Sequence, residues 1–372
     1  MAGKRRVAVI FGGRSGEHEV SLMSAQSVLS VLDPQKYDVL QVGITHDGRW
    51  VTGEHVLAAL QRGEMDGLDS AAILPDPSQV SLYALKPSAS GDILKRLVDV
   101  DVVFPMLHGS YGEDGTLQGL LELADVAYVG AGVLASSVGM DKALFKDVMR
   151  ANGIPVVESV TVLRSQIDSQ METVLERAEA IAPYPLFVKP ANLGSSVGIS
   201  KCRSRSDLLE GLMDAARYDR RVLVERGVNA REIEVSVLGN EEAQASLPGE
   251  IIPSDEFYSY AAKYLDDASE LIIPARLPAE KIEEIRSLAV KAYKAIDGAG
   301  MARVDFLLDR DNGTAYLNEI NTIPGFTRIS MYPKLWQASG LAYHALVDRL
   351  IELAFERKAD RQRTEHRYGS KK

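Results

Sequence analysis

The 372-residue sequence predicts an α/β protein of more than one domain, opening on a doubly wound parallel sheet. Three observations carry that expectation. Residues 7–11 (Val-Ala-Val-Ile-Phe) form a short apolar run, followed at once by a glycine turn (Gly12, Gly13, Gly16) and a helical stretch at 21–32. Residues 39–44 and 102–107 repeat the strand signal, and a β-turn-α-β order places helices over a parallel sheet. The chain is also longer than one ordinary core organises.

The elements follow in order. Residues 52–99 are mixed in character and read as helical excursions and loops. A helix at 141–150 carries Leu144, Phe145, Val148 and Met149 on one face. Asn152-Gly153 stops it, and Pro155 prevents its resumption. Residues 183–224 hold two strands (186–189 and 222–225) around a helix at 206–217, a small α/β unit. An alternating strand at 232–238 opens the last third. A periodic helix follows, with Ile282, Ile285, Leu288, Ala289, Ala292, Tyr293 and Ile296 on one stripe, ended by Gly298. Strands at 301–308 and 315–321 flank Asp309-Arg310-Asp311-Asn312-Gly313, a hairpin signal. No internal repeat is visible. The expected division is 1–138, 139–228 and 229–356, with 357–372 a frayed, solvated tail.

Composition narrows the function classes. The formal net charge is −10, which disfavours a phosphate backbone as partner, so no nucleic acid is expected. Cys202 is the sole cysteine and beside it stands Lys201 with no paired histidine, so the thiol reads as structural. The apolar run after the basic N-terminus is far shorter than a signal core or a membrane span. A cytoplasmic protein with no membrane partner is the expectation.

The hairpin is the most informative place. Closed symmetrically about Asn312, it sets Asp305 opposite Glu319 and Arg303 opposite Asn321, and strand alternation puts all four on one face. Two opposed carboxylates in apolar strands repel, and burying them demands positive charge between them. A hard divalent cation on oxygen ligands removes the conflict, which makes Asp305, Glu319 and Asn321 candidate Mg²⁺ ligands.

A magnesium site suggests a nucleotide, yet no Gly-x-x-x-x-Gly-Lys-Ser/Thr run occurs. In its place, Lys189-Pro190-Ala191-Asn192-Leu193-Gly194-Ser195-Ser196-Val197-Gly198 follows a strand directly. Backbone N–H groups and hydroxyls there suit phosphate oxygens, with Lys189 as the point charge. Lys142 on the preceding helix strengthens the reading. The loop from Gly12 to Ser21 lacks the dinucleotide fingerprint, and its acids better suit a substrate ammonium. A second glycine-rich loop, His108-Gly109-Ser110-Tyr111-Gly112-Glu113-Asp114-Gly115, lies at the carboxyl edge of the sheet, where ligands bind.

These motifs, in this order and along essentially the whole chain, resemble the D-alanine–D-alanine ligases of the ATP-grasp superfamily. The resemblance rests on Gly12-Gly13 through Glu19-Val20-Ser21-Leu22, Leu107-His108-Gly109 through Glu113-Asp114-Gly115, Met140-Asp141-Lys142, and Val188-Lys189-Pro190 through Gly198. It continues in Arg231-Glu232-Ile233-Glu234-Val235, Phe257-Tyr258 through Lys263-Tyr264, Arg303-Val304-Asp305-Phe306 and Asn318-Glu319-Ile320-Asn321 through Thr327.

The resemblance implies a three-domain ATP-grasp architecture that uses ATP, two Mg²⁺ (or Mn²⁺) and two molecules of D-alanine, in a homodimer, and it leaves a monovalent cation open. By the same resemblance Glu225 lies near adenine and Glu232 on the ribose, while Lys142, Lys189, Lys263, Ser195 and Ser196 meet the nucleotide. Asp305, Glu319 and Asn321 hold the metals. Glu19 takes the first substrate's ammonium and connects through Ser195 to Tyr264, with His108 on the substrate side. Ser330, Met331 and Lys263 hold the second substrate, and Arg303 with the Gly325 amide stabilises the oxyanion. Residues 254–267 resemble a lid, although Ser259 and Ala261 stand where the family has acids. A D-serine or D-lactate acceptor, or an ATP-binding protein without catalysis, are the competing readings.

Overall fold

A computed structural model describes residues 3–89, 91–194, 197–252 and 270–365. The expected lid, with Tyr258, Ser259, Ala261, Lys263 and Tyr264, lies outside the described residues, as do Ser195 and Ser196.

The first sheet has eight strands in the order β6-β5-β4-β3-β2-β1-β7-β8. These are β1 (Arg5–Gly12), β2 (Tyr37–Ile44), β3 (Trp50–Thr52), β4 (Asp69–Ile73), β5 (Ser81–Lys86), β6 (Ile93–Asp99), β7 (Val102–Met106) and β8 (Ala127–Tyr128). β1 pairs in parallel with β2 on one side and β7 on the other, so the chain reverses direction of winding at β1. Helices α1 (His18–Leu29), α2 (Val56–Arg62) and α3 (Thr116–Leu123) join these strands.

The stretch read as helical excursions and loops is instead largely sheet: β3 to β6 form an antiparallel meander, and α2 is its one helix. The reason lies in exposure. β6 leaves Ile93, Leu94 and Leu97 exposed at the sheet edge, so apolar residues there do not alternate with burial.

Helices α4 (Val133–Met140) and α5 (Lys142–Ala151) lead to a four-stranded antiparallel sheet, order β11-β10-β12-β9. It comprises β9 (Ser159–Leu163), β10 (Leu186–Pro190), β11 (Ser200–Cys202) and β12 (Arg221–Arg226). Its core packs against α6 (Arg164–Ser169), α7 (Met171–Glu179) and α8 (Arg205–Tyr218) through Ile167, Val174, Leu175, Leu208 and Leu212. Cys202 is buried in that core, and burial pushes its thiol up to about 11, as expected of a structural cysteine.

The third sheet runs β16-β15-β13-β17-β18, with β14 on β13. The strands are β13 (Ala230–Leu238), β14 (Gln244–Ala245), β15 (Gly249–Ile252), β16 (Glu270–Ile272), β17 (Met301–Asp309) and β18 (Ala315–Asn321). The predicted stripe of α9 (Ala279–Ala295) packs on it, with Ile285, Ala289, Ala292 and Tyr293 buried. Phe145 and Met149 of α5 share that core, whereas Leu144 is exposed.

Two last helices, α10 (Met331–Ala338) and α11 (Tyr343–Arg361), return to the first sheet. Leu346, Val347, Leu350 and Ile351 share one core with Val7, Val9, Phe104 and Met106. The expected solvated tail is therefore corrected over its described part. α11 continues through Arg361, where Arg357 Nη2 lies 2.7 Å from Glu122 Oε1 and Arg361 Nη1 lies 2.7 Å from Glu122 Oε2. A basic run that resembles a solvated terminus is one face of a docked helix.

Candidate active site

The three sheets meet around a polar centre built on the β17–β18 hairpin. Asp305 pairs with Glu319 and Arg303 with Asn321, as the symmetric closure predicts. Nearer the turn the register moves by one, with Phe306 opposite Leu317, so Asn318 is left over as a bulge. That bulge sets the phase of Glu319 and Asn321 relative to Leu317 and Ala315, which are buried on the other side.

Positive charge already stands among these acids. Arg303 donates from Nε and Nη2 to the two oxygens of Asp305, both at 2.8 Å, and its Nε lies 3.0 Å from Glu234 Oε2. Asn321 Nδ2 donates to Asp305 Oδ2 at 3.0 Å, and Lys142 Nζ lies 3.7 Å from Glu319 Oε2. Glu234, opposite Asp305 on β13, is a buried member that the hairpin argument did not include. Its signal was available, since residues 232, 234 and 236 share one face of an alternating strand. Glu232 stands two residues along on that face, opposite Leu307. Three carboxylates against two cations leave net negative charge, and the donors are oxygen-rich.

A second charged group lies at the end of β12. Glu225 is buried, with Oε1 at 2.7 Å from Lys146 Nζ and Oε2 at 2.5 Å from Lys189 Nζ. Burial works to raise its pKa, but the Lys189 and Lys146 ammonium groups outweigh it and bring the carboxyl down to about 2. Lys146 is absent from the residues that sequence singled out. It sits four residues after Lys142, one turn along α5, which is the only sequence sign of a shared face. Asp141 caps α5 by accepting from Leu144 N–H at 2.9 Å, and Lys142 Nζ donates to Leu193 O at 2.8 Å. This ties the helix to the loop after β10, where Gly194 begins the glycine-serine stretch.

The N-terminal loop overturns one assignment. The Glu19 side chain is 66% exposed and lies 3.5 Å from His46, away from the polar centre. Glu17 is the buried acid instead. A Cβ placed on Gly109 would come within 2.6 Å of Glu17 Oε2, and one on Gly194 within 3.0 Å, so this carboxylate faces both glycine loops. Ser15 Oγ accepts from the Glu17 N–H at 3.2 Å and donates to His108 O at 2.7 Å, joining the first loop to the second.

His108 is locked on both ring nitrogens. Nδ1 donates to Ile323 O at 2.9 Å, and Nε2, 3.0 Å from Ser24 Oγ, accepts from that hydroxyl. Burial lowers its pKa, so the ring is neutral; it positions the loops and has no nitrogen left for a substrate. Glu113 accepts from Gly109 N–H at 2.6 Å and Ile323 N–H at 3.3 Å. Burial and then the charge of Glu17 push its carboxyl up to about 8. Glu113 was quoted only within a motif, and its burial is what marks it.

Past the hairpin, a Cβ on Gly325 would lie 3.1 Å from Ser330 Oγ, so the two meet. Ser330 Oγ accepts from Thr327 N–H at 3.1 Å and sits at the start of α10. The Met331 side chain does not join them. It is buried with Ile251 and Leu335, which corrects its place among the substrate contacts for its side chain. A methionine at the first turn of a helix over β15 has apolar surface to cover there, and packing takes it.

Models of the D-ala D-ala ligase N-terminus and C-terminus match residues 6–131 and 148–352. The D-alanine–D-alanine ligase of Heliobacterium modesticaldum is 50% identical over 360 residues, 97% of each chain. That of Thermoanaerobacter sp. is 52% identical over 355 residues, 95% of this chain and 97% of the relative. The chain belongs to the D-alanine–D-alanine ligase family. Solved structures agree in fold. The VanG D-Ala:D-Ser ligase from Enterococcus faecalis superposes with a TM-score of 0.84 at 36% identity, over 95% of this chain and 100% of that one. The D-alanine–D-alanine ligase from Coxiella burnetii gives 0.80 at 39%, over 97% of each. With the family in hand, Glu17 and Glu19 are both within the matched N-terminal segment, and only burial separates them.

Proposed function

We propose that the chain joins two D-alanines to D-alanyl-D-alanine at the expense of ATP, as a step in making peptidoglycan precursors. The observation that carries the site reading is the buried acid pair, Glu17 with Glu113, set against the loop at Gly194 and next to the Lys142–Glu319–Arg303–Asp305 cluster. A raised carboxyl beside a neutral histidine is an environment that gains from an incoming ammonium. Glu17, in place of Glu19, receives the ammonium of the first D-alanine.

ATP lies between the second and third sheets. Lys142 and Lys189 hold phosphate oxygens, with Ser195, Ser196 and Lys263 as further expected contacts. Glu225 stands toward the base and Glu232 toward the ribose. Asp305, Glu319 and Asn321 fit Mg²⁺ (or Mn²⁺), because their donors are oxygens and the local charge is negative. When bound, the metal neutralises phosphate charge.

The carboxylate of the first D-alanine takes the γ-phosphoryl group, giving an acyl phosphate and ADP. The amine of the second attacks the acyl carbon, the tetrahedral oxyanion collapses, and phosphate leaves with the amine's proton lost to solvent. Arg303 and the Gly325 N–H stabilise the oxyanion, and Ser330 holds the second carboxylate. Ser195, Tyr264 and the 254–267 lid complete the site by family resemblance. The divisions 1–138, 139–228 and 229–356, the homodimer and a cytoplasmic location, where ATP is made, belong to the same reading.

The test is ADP release with D-alanine, L-alanine and D-lactate offered in turn, with and without chelator. D-Alanine alone should support turnover, and chelation should abolish it. Equal turnover on L-alanine would sink the proposal. The identity level of the curated D-alanine–D-alanine ligases, above that of the D-Ala:D-Ser ligase, favours D-alanine as acceptor.

A further inference from the structure

Glu19, released from the substrate site, stands in a cluster that the ligase reaction does not use. His18 and Glu19 open α1, and His46 stands on the turn between β2 and β3. We propose that His18, Glu19 and His46 form a binding site for a borderline divalent transition ion of the Zn²⁺ class.

The geometry supports it in three ways. One ligand atom from each residue lies within 4.8 Å of the others. Glu19 Oε1 and His46 Nε2 are 3.5 Å apart, close to the roughly 3.3 Å edge of a tetrahedron with bonds of about 2.0–2.1 Å. His18 is oriented from behind: Nδ1 lies 2.9 Å from Gly13 O, and a carbonyl can only accept, so the proton is on Nδ1 and Nε2 keeps its lone pair. An imidazole that donates its other N–H to a backbone carbonyl is the usual support of a metal-binding histidine.

The His18 and His46 rings are stacked, centroids 3.7 Å apart and planes at 24°, so the exposed His46 ring must swing out of the stack before both lone pairs meet one ion. The way in is open, since the His46 and Glu19 side chains are 70% and 66% exposed. Asp47 is turned away to Thr45 and to Arg49, whose Nε lies at 3.0 Å, so water would fill the fourth position. Two imidazoles and one carboxylate select Zn²⁺, Co²⁺ or Ni²⁺ over Mg²⁺, unlike the all-oxygen set at Asp305, Glu319 and Asn321. Binding would pin the β2–β3 turn to the first turn of α1, directly beside Glu17.

Co²⁺ is the probe. It would be titrated into the full-length, nucleotide-free protein in excess Mg²⁺, reading the intense visible band of low-coordinate Co²⁺ with nitrogen ligands. One equivalent should bind and be displaced by Zn²⁺. His46→Ala and Glu19→Gln, both at exposed positions, should each weaken binding at least tenfold while turnover in Mg²⁺ stays as in the parent. Glu319→Gln should leave the Co²⁺ band intact. A spectrum that remains that of the hydrated ion, or a band retained in both His46→Ala and Glu19→Gln, would overturn the proposal. So would a band lost only in Glu319→Gln. None of these outcomes bears on D-alanine ligation, which the ADP assay reads separately.

Discussion

Glu17 and Glu19 have the same charge and stand two residues apart, and their environments differ completely. Glu17 lies just ahead of α1 and turns inward, while Glu19, within the first turn, points to His46. Two residues advance a helix by roughly 200°, which sends neighbours to opposite sides. Glu17→Gln should raise KM for the first D-alanine by about 10²-fold, the cost of a lost buried charge contact. Glu19→Gln should change it less than about threefold; initial-rate kinetics at saturating ATP would separate them, and the reverse ranking would return Glu19 to the site. Glu113 offers a check through pH. Burial and the neighbouring Glu17 push its carboxyl up to about 8 in the folded state, from an ordinary 4.5, so its neutral form is favoured on folding. The stability this contributes is full below pH 4.5 and is lost as pH rises toward 8, because the folded state then holds a proton the unfolded state has released. Glu113→Gln should flatten the fall of the melting temperature between pH 5 and 8, and an unchanged slope would refute the assignment.

At the scale of the element, the hairpin shows how one residue decides a site. Ladder pairing on either side of Asn318 follows two registers, so the acid-bearing end and the turn end of β18 are out of phase by one. Alternation alone predicts the pairing of Asp305 with Glu319 and says nothing of the bulge, because a bulge leaves no compositional mark. Inserting one residue between Asp305 and Phe306 should give Asn318 a partner, let the ladder run flush and turn Asp305 and Glu319 together toward the buried side, since a shift of one residue exchanges the faces. Turnover should fall by several orders of magnitude while the helical circular dichroism signal persists; retained activity would show that the bulge does not set the ligand phase. The β3–β6 meander went unread for a related reason. Its outer strand is exposed on Ile93, Leu94, Lys95 and Arg96 alike, so there is no periodicity to detect.

Across the whole molecule, the chain closes on itself. α11 covers the first sheet, and the loop at Ile323 and Phe326 reaches back to His108, Glu113 and Ser24. The polar centre is thereby held by contacts more than 200 residues apart in sequence. A fragment of residues 1–138 would leave Val7, Val9, Phe104 and Met106 uncovered. It should bind a hydrophobic dye and unfold without a cooperative transition, and a sharply melting, dye-silent fragment would show that this sheet needs no cover.

By itself the sequence determined the parallel start of the first sheet, the periodic α9, the pairing of Asp305 with Glu319 and the motif order that identifies the family. Each of these is written in short windows, where side-chain period and turn chemistry are local properties. Only the tertiary structure decided which of two neighbouring acids is buried, that Lys146 joins Lys189 on Glu225, that Glu234 completes the Arg303 cluster, and that the basic run at Arg357 and Arg361 docks against Glu122. Those outcomes depend on strands and helices meeting across the chain, and burial, which no local window records, sets the charge and direction of each side chain.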